Sequence, residues 1–168
     1  SKANNQSLRP KPGSGPALGL WSTDPIWQAE TPNGSLTDPK ARYDWLHTDH
    51  LGTPILATTE EGQTSWRAVS ESFGATLPID QDIEMNLRFP GQYFDAETGT
   101  HYNFHRDYRP NAGRYLQGDP IGLEGGVNVY GYVNLHPLNN VDFLGFMEVQ
   151  IFSALIFITV VVVVNHGM

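Results

Sequence analysis

Cysteine is absent from this chain. That removes disulfides and thiolate metal ligation, and it leaves the redox compartment open. Cations are scarce: 10 Lys and Arg stand against 18 Asp and Glu, a formal net charge of −8. Binding a phosphate backbone requires a basic face, so nucleic acid is not expected as a partner. Helical periodicity is also missing, because no stretch before residue 147 carries an apolar stripe at helix spacing. No apolar run marks a secretory signal near the N-terminus. The chain opens at Ser1 in a loose Pro/Gly/Asn/Ser stretch and reads as the C-terminal piece of a longer protein. No G-x-S-x-G elbow occurs, and Gly122-Leu123-Glu124-Gly125-Gly126 lacks the helix and lysine of a phosphate cradle, so no cofactor is expected.

What is present is β-type chain. Residues 1–42 are proline-rich and read as an irregular linker or the end of upstream repeats, with room for a short strand near Trp21 or Trp27. From Tyr43 to Phe146, short apolar runs alternate with Gly, Pro, Asn and Asp turns. Ile55-Leu56-Ala57-Thr58-Thr59, a Glu60-Glu61-Gly62-Gln63 turn and Thr64-Ser65-Trp66-Arg67-Ala68-Val69 predict a hairpin. Residues 75–86 read as a polar connection. Residues 100–108 alternate and predict one strand, with Tyr102, Phe104 and Tyr108 on a common face. The expected fold class is all-β, a meander of short, aromatic-rich hairpins.

Residues 147–168 differ in composition. From Ile151 to Val164 the chain is apolar or small except for Ser153 and Thr159. As a helix this run would span roughly 21 Å at about 1.5 Å per residue, short of the roughly 30 Å hydrocarbon core. Its valine run favours strand. A buried strand, a shielded aggregation-prone peptide and a membrane-inserting segment are the three readings.

Two corners in the C-terminal part set an acid before a glycine-containing turn: Gly118-Asp119-Pro120-Ile121-Gly122-Leu123 and Val141-Asp142-Phe143-Leu144-Gly145-Phe146. Two carboxylates that meet in a buried place are the minimum kit for proton-shared hydrolysis of a peptide bond. The change of composition just after the second corner reads as a processing boundary. Taken singly, each acid also suits a plain turn former whose side chain caps local N–H groups. His47 with His50, and His101 with His105, have spacings that would gather metal ligands on a helix. Both pairs fall on strand or turn, so no metal site is expected. The tyrosines and phenylalanines at 93, 94, 102, 104, 108, 115, 130 and 132 read as inter-strand packing.

Several ordered motifs then carry a resemblance. They are Asp49-His50-Leu51-Gly52-Thr53-Pro54, the run Arg88-Phe89-Pro90-Gly91-Gln92-Tyr93-Phe94-Asp95-Ala96-Glu97-Thr98-Gly99, and Tyr102-Asn103. Gly113-Arg114-Tyr115-Leu116, Asp119-Pro120-Ile121-Gly122-Leu123, and Gly125-Gly126-Val127-Asn128-Val129-Tyr130 with Tyr132-Val133-Asn134 continue it. Over roughly residues 43–146 the chain resembles the core domain associated with RHS/YD repeats, found in bacterial polymorphic toxins and in the C subunits of Tc toxins.

The resemblance implies a domain that curls inward as a plug at the end of a YD-repeat β-shell and acts as a single-turnover aspartyl autoprotease. It would release a C-terminal segment held inside the shell. By motif, the family's acids map onto Asp119 and Asp142, its arginine onto Arg106, and its scissile bond onto Phe146–Met147. The implied partners are the upstream shell, the chain's own C-terminal segment, and a secretion-system spike or immunity protein. The implied setting is bacterial export, by type VI secretion among other routes, in competition between bacteria. The chain departs from the family pattern at Phe143, where proline is usual, and at Phe146, where leucine is usual. The Arg-Tyr-Tyr-Asp-Pro block reads Arg106-Asp107-Tyr108-Arg109-Pro110. Proline fixes φ and restricts its predecessor, so Phe143 removes one restraint on Asp142. Two alternatives follow: a non-catalytic structural module with a decayed protease centre, and a membrane-active effector formed by residues 147–168.

Overall fold

The computed structural model describes residues 25–146, together with the backbone of 149–150 and 161–165. The fold is all-β, with two antiparallel meanders in sequence. The first comprises β1 (Trp27–Thr31), β2 (Arg42–Thr48), β3 (Pro54–Thr59), β4 (Thr64–Ser70) and β5 (Thr76–Gln81). The second comprises β6 (Tyr93–Asp95), β7 (Thr100–Asn103), β8 (Arg106–Arg109) and β9 (Arg114–Tyr115). A short ladder joins β10 (Asn140–Val141) to β11 (Val149–Gln150), and β12 (Val161–Asn165) runs parallel to β1 at the outer edge of the first sheet.

The β3–β4 hairpin forms at the expected turn. Gly62 takes φ +79°, Thr59 N–H donates to the Gln63 carbonyl at 2.8 Å, and Leu56 pairs with Arg67. Alternation along β2 buries Asp44 and Leu46 and turns Trp45 outward. Leu46, Ala57, Trp66, Ala68, Ile83, Met85 and Leu87 make one apolar core beneath this sheet. Each large side chain there contributes about 1.5–3 kcal/mol by leaving water. Phe89, Tyr108, Tyr115, Tyr132 and Val133 make a second, mostly aromatic core beneath the smaller sheet. Phe89 and Tyr132 stack with their planes 3° apart and centroids 5.4 Å apart.

Two local expectations are corrected. Residues 75–86 are not merely a connection, because Thr76–Gln81 pairs with β4 as an edge strand. Pro78 lies opposite Ala68, next to a register shift between Arg67 and Ala68. An edge strand tolerates proline because one row of its backbone groups needs no partner in the sheet. The sequence hides this strand because its pairing comes from β4 rather than from local pattern.

Residues 100–108 are not one strand but a hairpin. The chain reverses at Phe104-His105, where Phe104 adopts φ +49°, and Asn103 pairs with Arg106 across the turn. Without the reversal, even-numbered residues would share a face. With it, His101, Asn103, Arg106 and Tyr108 point inward, while Tyr102 and Phe104 lie on the outer side. No glycine or asparagine sits at the left-handed position, so the usual hairpin signal is missing. The first sheet also begins ahead of Tyr43: Trp27–Thr31 pairs with β2, at one of the two places where the sequence left room for a strand.

Candidate active site

The second sheet and the loop after β10 bring Arg106, Asp119 and Asp142 together. Arg106 faces inward from β8 because the Phe104-His105 turn reverses the chain two residues earlier. Asp119 is fixed at its corner by its own N–H, which donates to the Val129 carbonyl at 2.8 Å, while the N–H of Ile121 donates to its Oδ1 at 3.0 Å. Asp142 leaves β10 with its side chain turned into the protein. Arg106 Nη2 contacts Asp119 Oδ2 at 3.0 Å and Asp142 Oδ2 at 3.1 Å. All three side chains are buried, at 3%, 7% and 3% exposure for Arg106, Asp119 and Asp142. The two carboxylates therefore share one guanidinium nitrogen away from water. Among the described residues, the acids within ion-pair distance of Arg106 are Asp119 and Asp142, and not its sequence neighbour Asp107.

Arg106 is held from several sides. Its Nε donates to the Gly145 carbonyl, its Nη1 to the Val129 carbonyl at 3.3 Å, and its guanidinium lies 3.6 Å over the Tyr115 ring. The contact with Gly145 ties the cation directly to the loop that leads to Phe146.

Asp142 is held more tightly still. Its Oδ1 accepts the N–H groups of Leu144, Gly145 and Phe146 at 3.3, 2.7 and 3.1 Å. Its Oδ2 accepts the Tyr115 hydroxyl at 2.8 Å besides Arg106. The restraint that a proline at 143 would supply is thus provided by hydrogen bonds. Gly145 takes φ +76°, and a Cβ there would be driven into the Asn103 carbonyl oxygen, so the close turn requires glycine. Phe146 rests against His105, ring centroids 4.9 Å apart, and the His105 N–H donates to the Leu144 carbonyl at 3.3 Å. Met147 lies outside the described residues.

Two residues quoted for their motifs prove to be part of this cluster. Asn103 and Tyr115 read in the sequence as strand and packing positions. The Asn103 amide donates both to the Tyr115 hydroxyl, at 2.7 Å, and to the Asp142 main-chain carbonyl, at 2.9 Å. Burial first, then the negative charge of Asp142, pushes the Tyr115 hydroxyl well above its usual range, and Tyr132 is shifted the same way for the same reasons. Both phenols stay protonated at neutral pH. Membership of the quoted motifs was the signal for Asn103 and Tyr115, but only the β7–β8 reversal shows that both face the acids.

Three of the histidines each meet a partner of a different kind. His101 is buried with Nδ1 2.8 Å from Gln92 Oε1. His47 Nε2 lies 3.0 Å from the Thr58 hydroxyl, and His50 Nε2 lies 2.8 Å from the Leu138 carbonyl. That last contact ties the Asp49–Pro54 motif to the segment just before β10. Within the motif, Asp49 also accepts the N–H groups of Leu51 and Thr53 at 2.9 and 3.0 Å.

Fold and cluster together define an all-β domain built around a buried centre of two carboxylates and one guanidinium. Residues 45–80 match the family model described as RHS protein. The chain is 47% identical over 93 residues to the toxin protein Tse5 of Pseudomonas aeruginosa, covering 55% of this chain and 7% of that protein. It is 40% identical over 107 residues to the double-stranded DNA deaminase toxin A of Burkholderia cenocepacia, covering 61% of this chain and 7% of that protein. Among solved structures, the Tc holotoxin pore of Photorhabdus luminescens superposes with a TM-score of 0.58 at 27% identity, covering 68% of this chain and 6% of that one. Together these matches support an RHS-associated domain of the kind carried by polymorphic toxins. It spans only a small part of each of these relatives.

Proposed function

We propose that this domain is the self-cleaving plug of an exported RHS toxin, and that it cuts its own chain after Phe146 by an aspartyl mechanism. The observation that carries this reading is the convergence of Asp119 and Asp142 on one buried nitrogen of Arg106, beside the loop that holds Phe146. Hydrolysis of that bond adds water across the Phe146 carbonyl and the nitrogen of residue 147. A carboxylate takes a proton from water as the oxygen attacks the carbonyl carbon. A carboxyl group gives a proton to the nitrogen as the C–N bond breaks, leaving a new acid at Phe146 and a new amine. Arg106 orients the acids, and the burial of all three groups strengthens their mutual fields.

The position of the bond supports the reading. It falls in the loop between β10 and β11, so the chain is paired on both sides of the cut. The reaction is intramolecular, and orientation supplies much of its acceleration. The upstream YD repeats would form the shell, residues 147–168 would be its cargo, and a secretion-system spike or an immunity protein would be the outside partners.

One observation favours the structural alternative: Arg106 and the amides of residues 144–146 already occupy Asp142 as they would in an inert clamp. Intact-mass spectrometry on the chain joined to its upstream repeats separates the two readings. A break after Phe146 that Asp119→Asn abolishes supports the protease. An unbroken wild type leaves a structural plug.

A further inference from the structure

The two acids occupy unequal sites. Among the described residues, the donors to Asp142 include three main-chain N–H groups on Oδ1, and Arg106 with the Tyr115 hydroxyl on Oδ2. Each carboxylate oxygen offers about two lone-pair directions. Asp142 is therefore saturated, and a proton placed on either oxygen would face another donor. Asp119, among the described residues, receives the Ile121 N–H on one oxygen and Arg106 on the other. It keeps acceptor capacity on both. The donors on Asp142 Oδ1 all come from the segment leading to Phe146, so this carboxylate shapes the turn that carries the bond.

Asp142 is locked from outside that turn as well. One hydrogen of the Asn103 amide goes to the Tyr115 hydroxyl, which forces the hydroxyl's own proton toward Asp142. The other goes to the main-chain carbonyl of Asp142. That carbonyl demands a donor, so the amide's orientation is fixed.

We propose that Asp142 is a positioning residue, locked by Tyr115 and Asn103, which folds residues 144–146 for attack, and that Asp119 alone is the carboxyl that exchanges protons. This rests on the self-cleavage proposed above. Asp119 takes the proton that water loses as its oxygen bonds to the Phe146 carbonyl carbon. It returns that proton to the nitrogen of residue 147 as the C–N bond breaks, and it ends as the carboxylate it began as. The charged and titratable groups facing the pair are Arg106 from β8, Tyr115 from β9, and Tyr132 from the loop after β9. The two phenols remain protonated throughout the range in which carboxylates titrate.

The test uses the chain with its upstream repeats, collected uncut in denaturant and diluted into buffers from acidic to neutral. Intact mass then gives the half-time of breakage for wild type, Asp119→Asn, Asp142→Asn and Tyr115→Phe. Asp119→Asn is expected to stop the reaction. Asp142→Asn and Tyr115→Phe are expected to slow it about 10- to 100-fold, the range a small misplacement costs, while the shape of the pH profile stays that of wild type. Total loss in a folded Asp142→Asn protein, or a pH profile displaced by Tyr115→Phe, overturns the proposal, since either puts Asp142 in the proton transfer. If Asp142→Asn does not refold, the Tyr115→Phe profile decides alone, because that change removes one hydroxyl and keeps the ring over Arg106. A wild type that never breaks rejects self-cleavage itself, whereas a cutting wild type with the wrong variant pattern rejects only this division of roles.

Discussion

Arg106 is the cation on which both acids depend, and removing it leaves two buried carboxylates facing each other without compensation. Breaking a buried pair in this way costs about 3–5 kcal/mol. Arg106→Met, which keeps a long apolar stem, is expected to lower the urea midpoint by a matching amount and to abolish any cleavage. His101 makes a separate prediction. Burial first, and the nearby Arg88 charge second, pushes its pKa down to about 3. The unfolded chain binds a proton near pH 6.5 that the folded state refuses. Stability is therefore full above about pH 6.5 and falls as pH drops toward 3, by about 1.4 kcal/mol per unit inside that window. Denaturation curves across this range should show the slope in wild type, and His101→Gln should flatten it.

The β7–β8 hairpin and the loop after β10 decide whether the site exists. The hairpin puts Asn103 and Arg106 on one face, and the loop presses Gly145 against the hairpin's backbone. Gly145→Ala would place a side chain on a left-handed residue, costing about 1–2 kcal/mol before any clash with the Asn103 carbonyl. The chain is expected to fold, because both cores are intact, yet to remain uncut by mass. A fully active Gly145→Ala protein would show that the close turn is not needed. The same elements explain what the sequence concealed. The turn at Phe104-His105 has no turn-type residues, and the alternating pattern runs straight through it. The loop supports it instead, through the His105 N–H on the Leu144 carbonyl and His105 against Phe146. A turn stabilised by residues some forty positions away leaves no local trace.

At the scale of the whole molecule, the segment beyond the proposed cut remains attached by strand pairing. Val149 pairs with Val141 through β11, and residues 161–165 run along β1. Cleavage should therefore leave residues 147–168 bound: the fragment is expected to co-elute with the body on a sizing column in native buffer and to separate in denaturant. Immediate loss in native buffer would mean that the two strand pairings do not retain it. Among the described residues, no helix is long and apolar enough to cross a membrane. Most of the run from 151 to 164 lies outside those residues, so its membrane reading stands as an expectation about the sequence.

The chain's own pattern determined the class of fold, the hairpin about Gly62, and the two acid corners at Asp119 and Asp142, while the family resemblance pointed to Arg106. Those features are local, or are carried by ordered motifs: a glycine at a left-handed position, apolar residues at every second place, an acid before a tight turn. Tertiary structure alone decided that Arg106 lies between the acids rather than beside Asp107. It also decided that Asn103 and Tyr115 hold Asp142, and that Thr76–Gln81 is a strand. Each of these depends on which residues a chain reversal or a neighbouring strand brings opposite one another, and that pairing is a property of the folded chain as a whole.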